Sequence, residues 1–181
     1  MKSLKYFTTI ITLFLLTNSL IYAQEKRPFF IGLQPSFTKE TFYEKNEFDI
    51  NIVPLTIQVP LGKLIDIRVT SEVNYHFGPT KGVSDVGAQF VLPVYFKKKE
   101  NAKTMSHGFY AGPVVGLGTN LINNHNTLTV AVEPGYMFKA NKRFSLALGL
   151  QLGASYFDYF DKPNVWRSHF GVKINVGFWV N

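Results

Sequence analysis

The chain contains no cysteine. A disulfide framework, thiol chemistry and a lipidated N-terminal cysteine are therefore excluded. Charge is also scarce: Asp, Glu, Lys and Arg together make 17% of the residues, against about a quarter in an ordinary soluble domain. The formal charge of +7 does not point to nucleic acid, because the basic residues are scattered or sit in short turns. The one run, Lys97, Lys98 and Lys99, reads as a solvated turn. No zinc-finger, phosphate-loop or dinucleotide fingerprint is present, and nothing calls for a cofactor. His76, His107, His125 and His169 lack the i, i+2 or i, i+4 spacing that sets two metal ligands on one face of a strand or helix. Beyond residue 23 there is no apolar run of membrane-helix length, and no segment has a normal helical period.

What is present begins with a leader. Lys2 and Lys5 precede the apolar stretch YFTTIITLFLLTNSLIYA, which ends at Ala23. This is the layout of a cleavable signal peptide over residues 1–23, cut before Gln24, and it implies export of a single domain over 24–181.

The domain is rich in apolar residues (46% of the whole chain, with 17 Phe and 9 Tyr) and is organised by a two-residue rhythm. In LIDIRVTSEVNYHF (64–77), Ile65, Ile67, Val69, Val73, Tyr75 and Phe77 share one phase. Asp66, Arg68, Thr70, Glu72, Asn74 and His76 share the other, and only Ser71 interrupts the apolar set. Successive side chains of an extended segment point to opposite faces. The pattern predicts eight strands, at 29–38, 48–59, 64–77, 85–96, 107–119, 127–138, 144–157 and 169–180. Pro54 predicts a bulge or bend within the second, since proline cannot donate to a ladder. Strands of about ten to fourteen residues suit a tilted membrane crossing better than a globular sheet. Their connections are short enough to make neighbours antiparallel. The expected fold is all-β, an eight-stranded antiparallel up-and-down transmembrane β-barrel.

Alternation does not say which face is inside, but composition does. The polar phase is small and sparsely charged: in 144–157 it reads Ser145, Ala147, Gly149, Gln151, Gly153 and Ser155. Such residues fit the crowded lumen of an eight-stranded barrel. The apolar phase is aliphatic in mid-strand and aromatic towards the ends, as expected of a lipid-facing wall with interfacial girdles. Asp66, Arg68, Glu72, Gln89, Glu133, Gln151 and Lys173 are then expected to form a lumenal polar network of both charge signs, centred on Arg68 with Glu72 farther along the same face. Loops 39–47, 78–84, 120–126 and 158–167 would face outward, and turns 60–63, 97–106 and 139–143 the periplasm. In the last loop, Tyr159, Phe160, Trp166 and Arg167 are candidate contacts for an extracellular partner.

The segments GFYAGPVVGLG, VEPGYMF and the closing FGVKINVGFWV, taken with the leader, resemble the small outer-membrane β-barrel proteins of Gram-negative bacteria, especially the Bacteroidota type. The resemblance spans the whole exported chain. It implies residence in the outer membrane among its lipids and lipopolysaccharide, and insertion by the barrel assembly machinery through the C-terminal strand. Asn181 stands where that strand usually ends in an aromatic. A non-enzymatic structural or surface-interaction role follows, with at most a very narrow pore. A lipid-modifying or lipid-binding barrel is the alternative. Ser84, Asp85, His76 and Ser168 lie near one rim, but no G-x-S-x-G signature accompanies them. A soluble periplasmic, lipocalin-like carrier is the third reading.

Overall fold

The computed structural model describes residues 28–38, 46–100, 104–141 and 143–180. The proposed leader over 1–23 lies outside them. The described chain is all-β, with no helix among its residues, and forms a closed eight-stranded antiparallel barrel. Three of the eight walls are interrupted, so eleven segments result. The first wall is β1 (Phe29–Leu33) with β2 (Phe37–Thr38), and the second is β3 (Phe48–Asn51) with β4 (Leu55–Pro60). β5 (Asp66–Phe77) is the third, and β6 (Gly82–Val91) with β7 (Val94–Tyr95) the fourth. β8 (Gly108–Asn120), β9 (His125–Lys139), β10 (Phe144–Tyr159) and β11 (Val165–Val180) complete the circuit. Each wall pairs with the next, and β1 pairs with β11, Phe29 opposite Val180 and Leu33 opposite Val176. Five pairs, from Phe29–Val180 to Leu33–Val176, make this closing seam.

The breaks have local causes. The second wall opens at Pro54, as the sequence predicts, and side chains stitch the gap. Asn51 Oδ1 accepts from Val53 N at 3.1 Å and Val73 N at 3.2 Å. Ser71 Oγ donates to Val53 O at 2.6 Å and lies 3.2 Å from Leu55 O. This accounts for the one serine in the apolar phase of β5: it serves the carbonyls exposed by the proline break. Three loops are shorter than expected because the flanking strands extend into them: 78–81, 121–124 and 160–164 remain. β10 runs to Tyr159 and β11 starts at Val165. Asn164 closes their turn by accepting from Tyr159 N at 3.0 Å.

The two faces differ in kind. On β10, Leu148, Leu150 and Leu152 are exposed while Ala147, Gly149 and Gln151 are buried. On β11, Val172, Ile174 and Phe178 are exposed while Lys173, Asn175 and Trp179 are buried. Aromatic contacts ring the outside at two levels. Near Phe29 and Val180, the terminal residues of the strand circuit, Phe109 meets Tyr136 at 4.6 Å, and Phe144 meets Phe178 at 5.3 Å. At the opposite end Phe48 stacks on Phe77 at 5.0 Å, and Tyr156 lies 5.1 Å from Trp166. The interior is built mainly of polar side chains, with an apolar layer of Phe30, Tyr95, Tyr110, Met137, Ala147 and Trp179 near Phe29 and Val180.

Candidate functional site in the barrel lumen

Neighbouring strands place inward side chains at matching heights, so polar residues far apart in sequence meet across the lumen. Arg68 of β5 and Glu133 of β9 are both fully buried and pair at 2.7 Å. Tyr110 Oη donates to the same carboxylate oxygen at 2.7 Å, and Gln151 Nε2 donates to the other at 2.6 Å. Gln151 also exchanges amide hydrogen bonds with Gln89, at 2.8 and 3.2 Å. On the other side Arg68 Nε donates to Gln58 Oε1 at 2.9 Å, and Gln58 Nε2 donates to Asp66 Oδ2 at 2.6 Å. The result is a septum running from β6 through β10, β9 and β5 to β4. A buried guanidinium and carboxylate persist only where partners replace the lost water. The septum supplies them to both Glu133 oxygens and to Arg68 Nε and Nη1, while Arg68 Nη2 is buried without a hydrogen-bond partner.

Two glycines make this fit. A Cβ on Gly149 would stand 2.8 Å from Glu133 Oε1, and one on Gly135 would collide with the end of the Tyr110 ring.

Of the residues expected in the network, Asp66, Arg68, Gln89, Glu133 and Gln151 join the septum. Glu72 and Lys173 do not; they sit above it, 3.9 Å apart. The expectation that Arg68 and Glu72 belong to one centre needs correcting. They are four residues apart on one strand, about 13 Å at some 3.3 Å per residue, so the partner of Arg68 comes from the far wall. The lysine run needs correcting too. Lys97 and Lys98 are exposed, but Lys99 is buried. Its Nζ enters the barrel to pair with Asp66 Oδ1 at 2.8 Å and donate to Ser106 Oγ at 2.9 Å. The long connection between β7 and β8 thus tucks its ends under the barrel, and Met105 packs on the apolar layer.

Above the septum is a polar cavity of about 120 Å³, whose lining includes Asp49, Glu72, Asp85, Asn120, His125, His169 and Lys173. His76 Nδ1 lies 2.8 Å from Asp49 Oδ1. Ser84 Oγ donates to Asn74 O at 3.3 Å, and Asp85 Oδ1 accepts from Asn120 Nδ2 at 2.9 Å. Ser168 is exposed, in the outward phase of β11. Ser84 and Asp85 thus adjoin, and His76 is paired with Asp49 near them, while Ser168 stands apart on the outward face. His169 Nε2 lies 3.2 Å from Gln151 Oε1. Among the described residues no group of His, Asp and Glu has the arrangement of a metal site.

The four loop candidates fall in two places. Phe160 is exposed in the turn, and Lys162 Nζ stands 4.0 Å over the ring of Tyr159. Trp166 and Arg167 belong to β11, and Trp166 is part of the outer aromatic ring beside Tyr156. Sequence reasoning missed Gln58, Lys99, Ser106, Phe30 and Trp179. Three of them were available from phase alone: Gln58 shares the phase of Thr56, Phe30 that of Gly32, and Trp179 that of Asn175. Lys99 and Ser106 lie beyond any strand rhythm.

No protein-family profile matches the chain, and a search of curated proteins returns no significant match.

Proposed function

We propose that this protein is an integral outer-membrane β-barrel with a closed lumen, acting without catalysis through the rim and loops at the end away from Phe29 and Val180. One observation carries the reading: the barrel is apolar outside and polar inside. Exposed aliphatic side chains cover the wall, while Arg68, Glu133, Gln151 and Asn175 are wholly buried. Burial of apolar surface drives folding in water, so a water-soluble barrel is expected to reverse this arrangement, as a lipocalin-like carrier with a greasy calyx does. The spacing of the aromatic rings supports the same reading. From Phe144 to Tyr156 along β10, at about 3.3 Å per residue and a tilt of about 40°, the height is about 30 Å. That approximates the hydrocarbon thickness of a bilayer. Closed barrels are also one of the two structures that satisfy every backbone group within lipid. The resemblance to small Gram-negative outer-membrane barrels agrees and adds lipopolysaccharide and the assembly machinery as expected partners. In this orientation the end where Phe29 pairs with Val180 faces the periplasm, together with Lys99 and Ser106 of the β7–β8 connection.

The test is fractionation combined with heat-modifiability. The protein is expected in the outer-membrane fraction, to require detergent for extraction, and to change gel mobility on boiling. Recovery in the soluble periplasmic fraction without detergent would overturn the reading.

A further inference from the structure

The end of the barrel where Phe29 meets Val180 carries an uneven charge. Lys63, Lys97, Lys98, Lys139 and Arg143 are exposed there, against one exposed acid, Glu100, among the described residues. Two of these lysines line an apolar groove with Leu61, Gly62, Leu64 and Ile65. The three large apolar residues of the groove are each more than a third exposed. Backbone bonds hold its two sides together: Lys99 N donates to Lys63 O at 3.0 Å, Tyr95 N to Leu64 O at 2.7 Å, and Leu61 N to Ile65 O at 2.9 Å. Ile65 also bridges to Val94, and the adjoining Phe96 is the most exposed of the large apolar side chains. The groove therefore opens at the level of the aromatic ring that holds Phe109, with greasy walls and two exposed lysines in its lining.

We infer that this groove seats one anionic phospholipid of the periplasm-facing leaflet, its acyl chain against Leu61, Leu64 and Ile65 and its headgroup phosphate between Lys63 and Lys98. The inference rests on the membrane reading above. Charge complementarity selects an anion, and the apolar walls select one that carries a hydrocarbon chain rather than an acidic protein or free phosphate. Lysine near an anionic lipid surface contributes about a fivefold gain in affinity per residue, screened by salt.

The test reconstitutes the purified protein in phosphatidylcholine vesicles containing a trace of spin-labelled phosphatidylglycerol or spin-labelled phosphatidylcholine, and measures the motionally restricted fraction of each. The wild type is expected to restrict phosphatidylglycerol preferentially. The K63Q/K98Q variant, confirmed as folded by its gel shift, is expected to lose that preference by about tenfold or more, while K81Q/K162Q at the opposite end retains it. Equal treatment of the two labels by an inserted wild type, or an unchanged preference in K63Q/K98Q, overturns the inference and leaves the membrane reading intact. Restriction of neither label overturns both. Displacement of the labelled lipid by millimolar inorganic phosphate would identify a bare anion site and overturn the lipid assignment.

Discussion

Replacing Glu133 would strand the Arg68 guanidinium in a fully buried position beside a tyrosine hydroxyl. Breaking a buried pair by removing one partner costs about 3–5 kcal/mol, whereas replacing both with apolar groups of similar size is often close to neutral. Glu133→Leu is thus expected to lower stability by about that amount, and the double variant R68M/E133L to recover most of it. Urea titration of the vesicle-embedded protein, scored by the gel shift, measures both. Recovery should be incomplete, since Gln58, Gln151 and Tyr110 also lose partners. A gentler probe is Gly149→Ala, whose methyl group would press on Glu133 Oε1 at 2.8 Å. Overpacking of this kind costs about 1–3 kcal/mol. Gly82→Ala, with nothing within 4 Å, is the control and should stay within about 0.5 kcal/mol of wild type. At this scale the inward identity of Asp66, Arg68, Gln89, Glu133 and Gln151 was legible, because a period of two assigns each residue a face. Their partners were not. Pairing across the lumen depends on the stagger between strands, and one strand's sequence does not contain it.

Among the elements, the second wall is the most informative. Pro54 announced its break in the sequence, but the compensation lies on another strand, in Ser71. Ser71→Ala leaves Val53 O without its hydroxyl donor on a face we propose to be in lipid. The expected loss is about 1–3 kcal/mol, with Ser71→Thr retaining most of the stability because it keeps the hydroxyl. Equal losses in the two variants, measured by urea titration, would mean that the hydroxyl is not what matters. Element ends were harder to read than element cores. Beyond Phe157 the residues Asp158 and Tyr159 no longer alternate apolar with polar, yet β10 continues because β9 carries the ladder on, with Asn126 opposite Asp158 and His125 opposite Tyr159. The connection between β7 and β8 was opaque for a different reason. Its role is tertiary: Lys99 is drawn in by Asp66, a carboxylate some thirty residues earlier.

For the whole molecule, the septum and the apolar layer beneath it form two successive barriers across one narrow lumen. The polar cavity above them is therefore a cup open at one end. In planar bilayers the inserted protein is expected to give no resolved ion-conductance steps, even while its gel shift confirms a folded barrel. Regular steps from the wild type would show that the barriers part and would remove the closed-lumen element of the proposal. The all-β closed architecture is legible in the sequence because eight rhythmic segments with short connections admit few arrangements. Inside-out polarity was readable from the glycines and serines of the polar phase. The number of layers closing the lumen was not, since Phe30 and Trp179 are aromatics on the side where the pattern predicts small polar groups.

The seam where Phe29 meets Val180 also dictates a timetable. The first strand to leave the ribosome finds one of its two neighbours only after the last has been made, so the cylinder cannot shut progressively during synthesis. Until then the two ladders that will form the seam stay open to pairing with other chains.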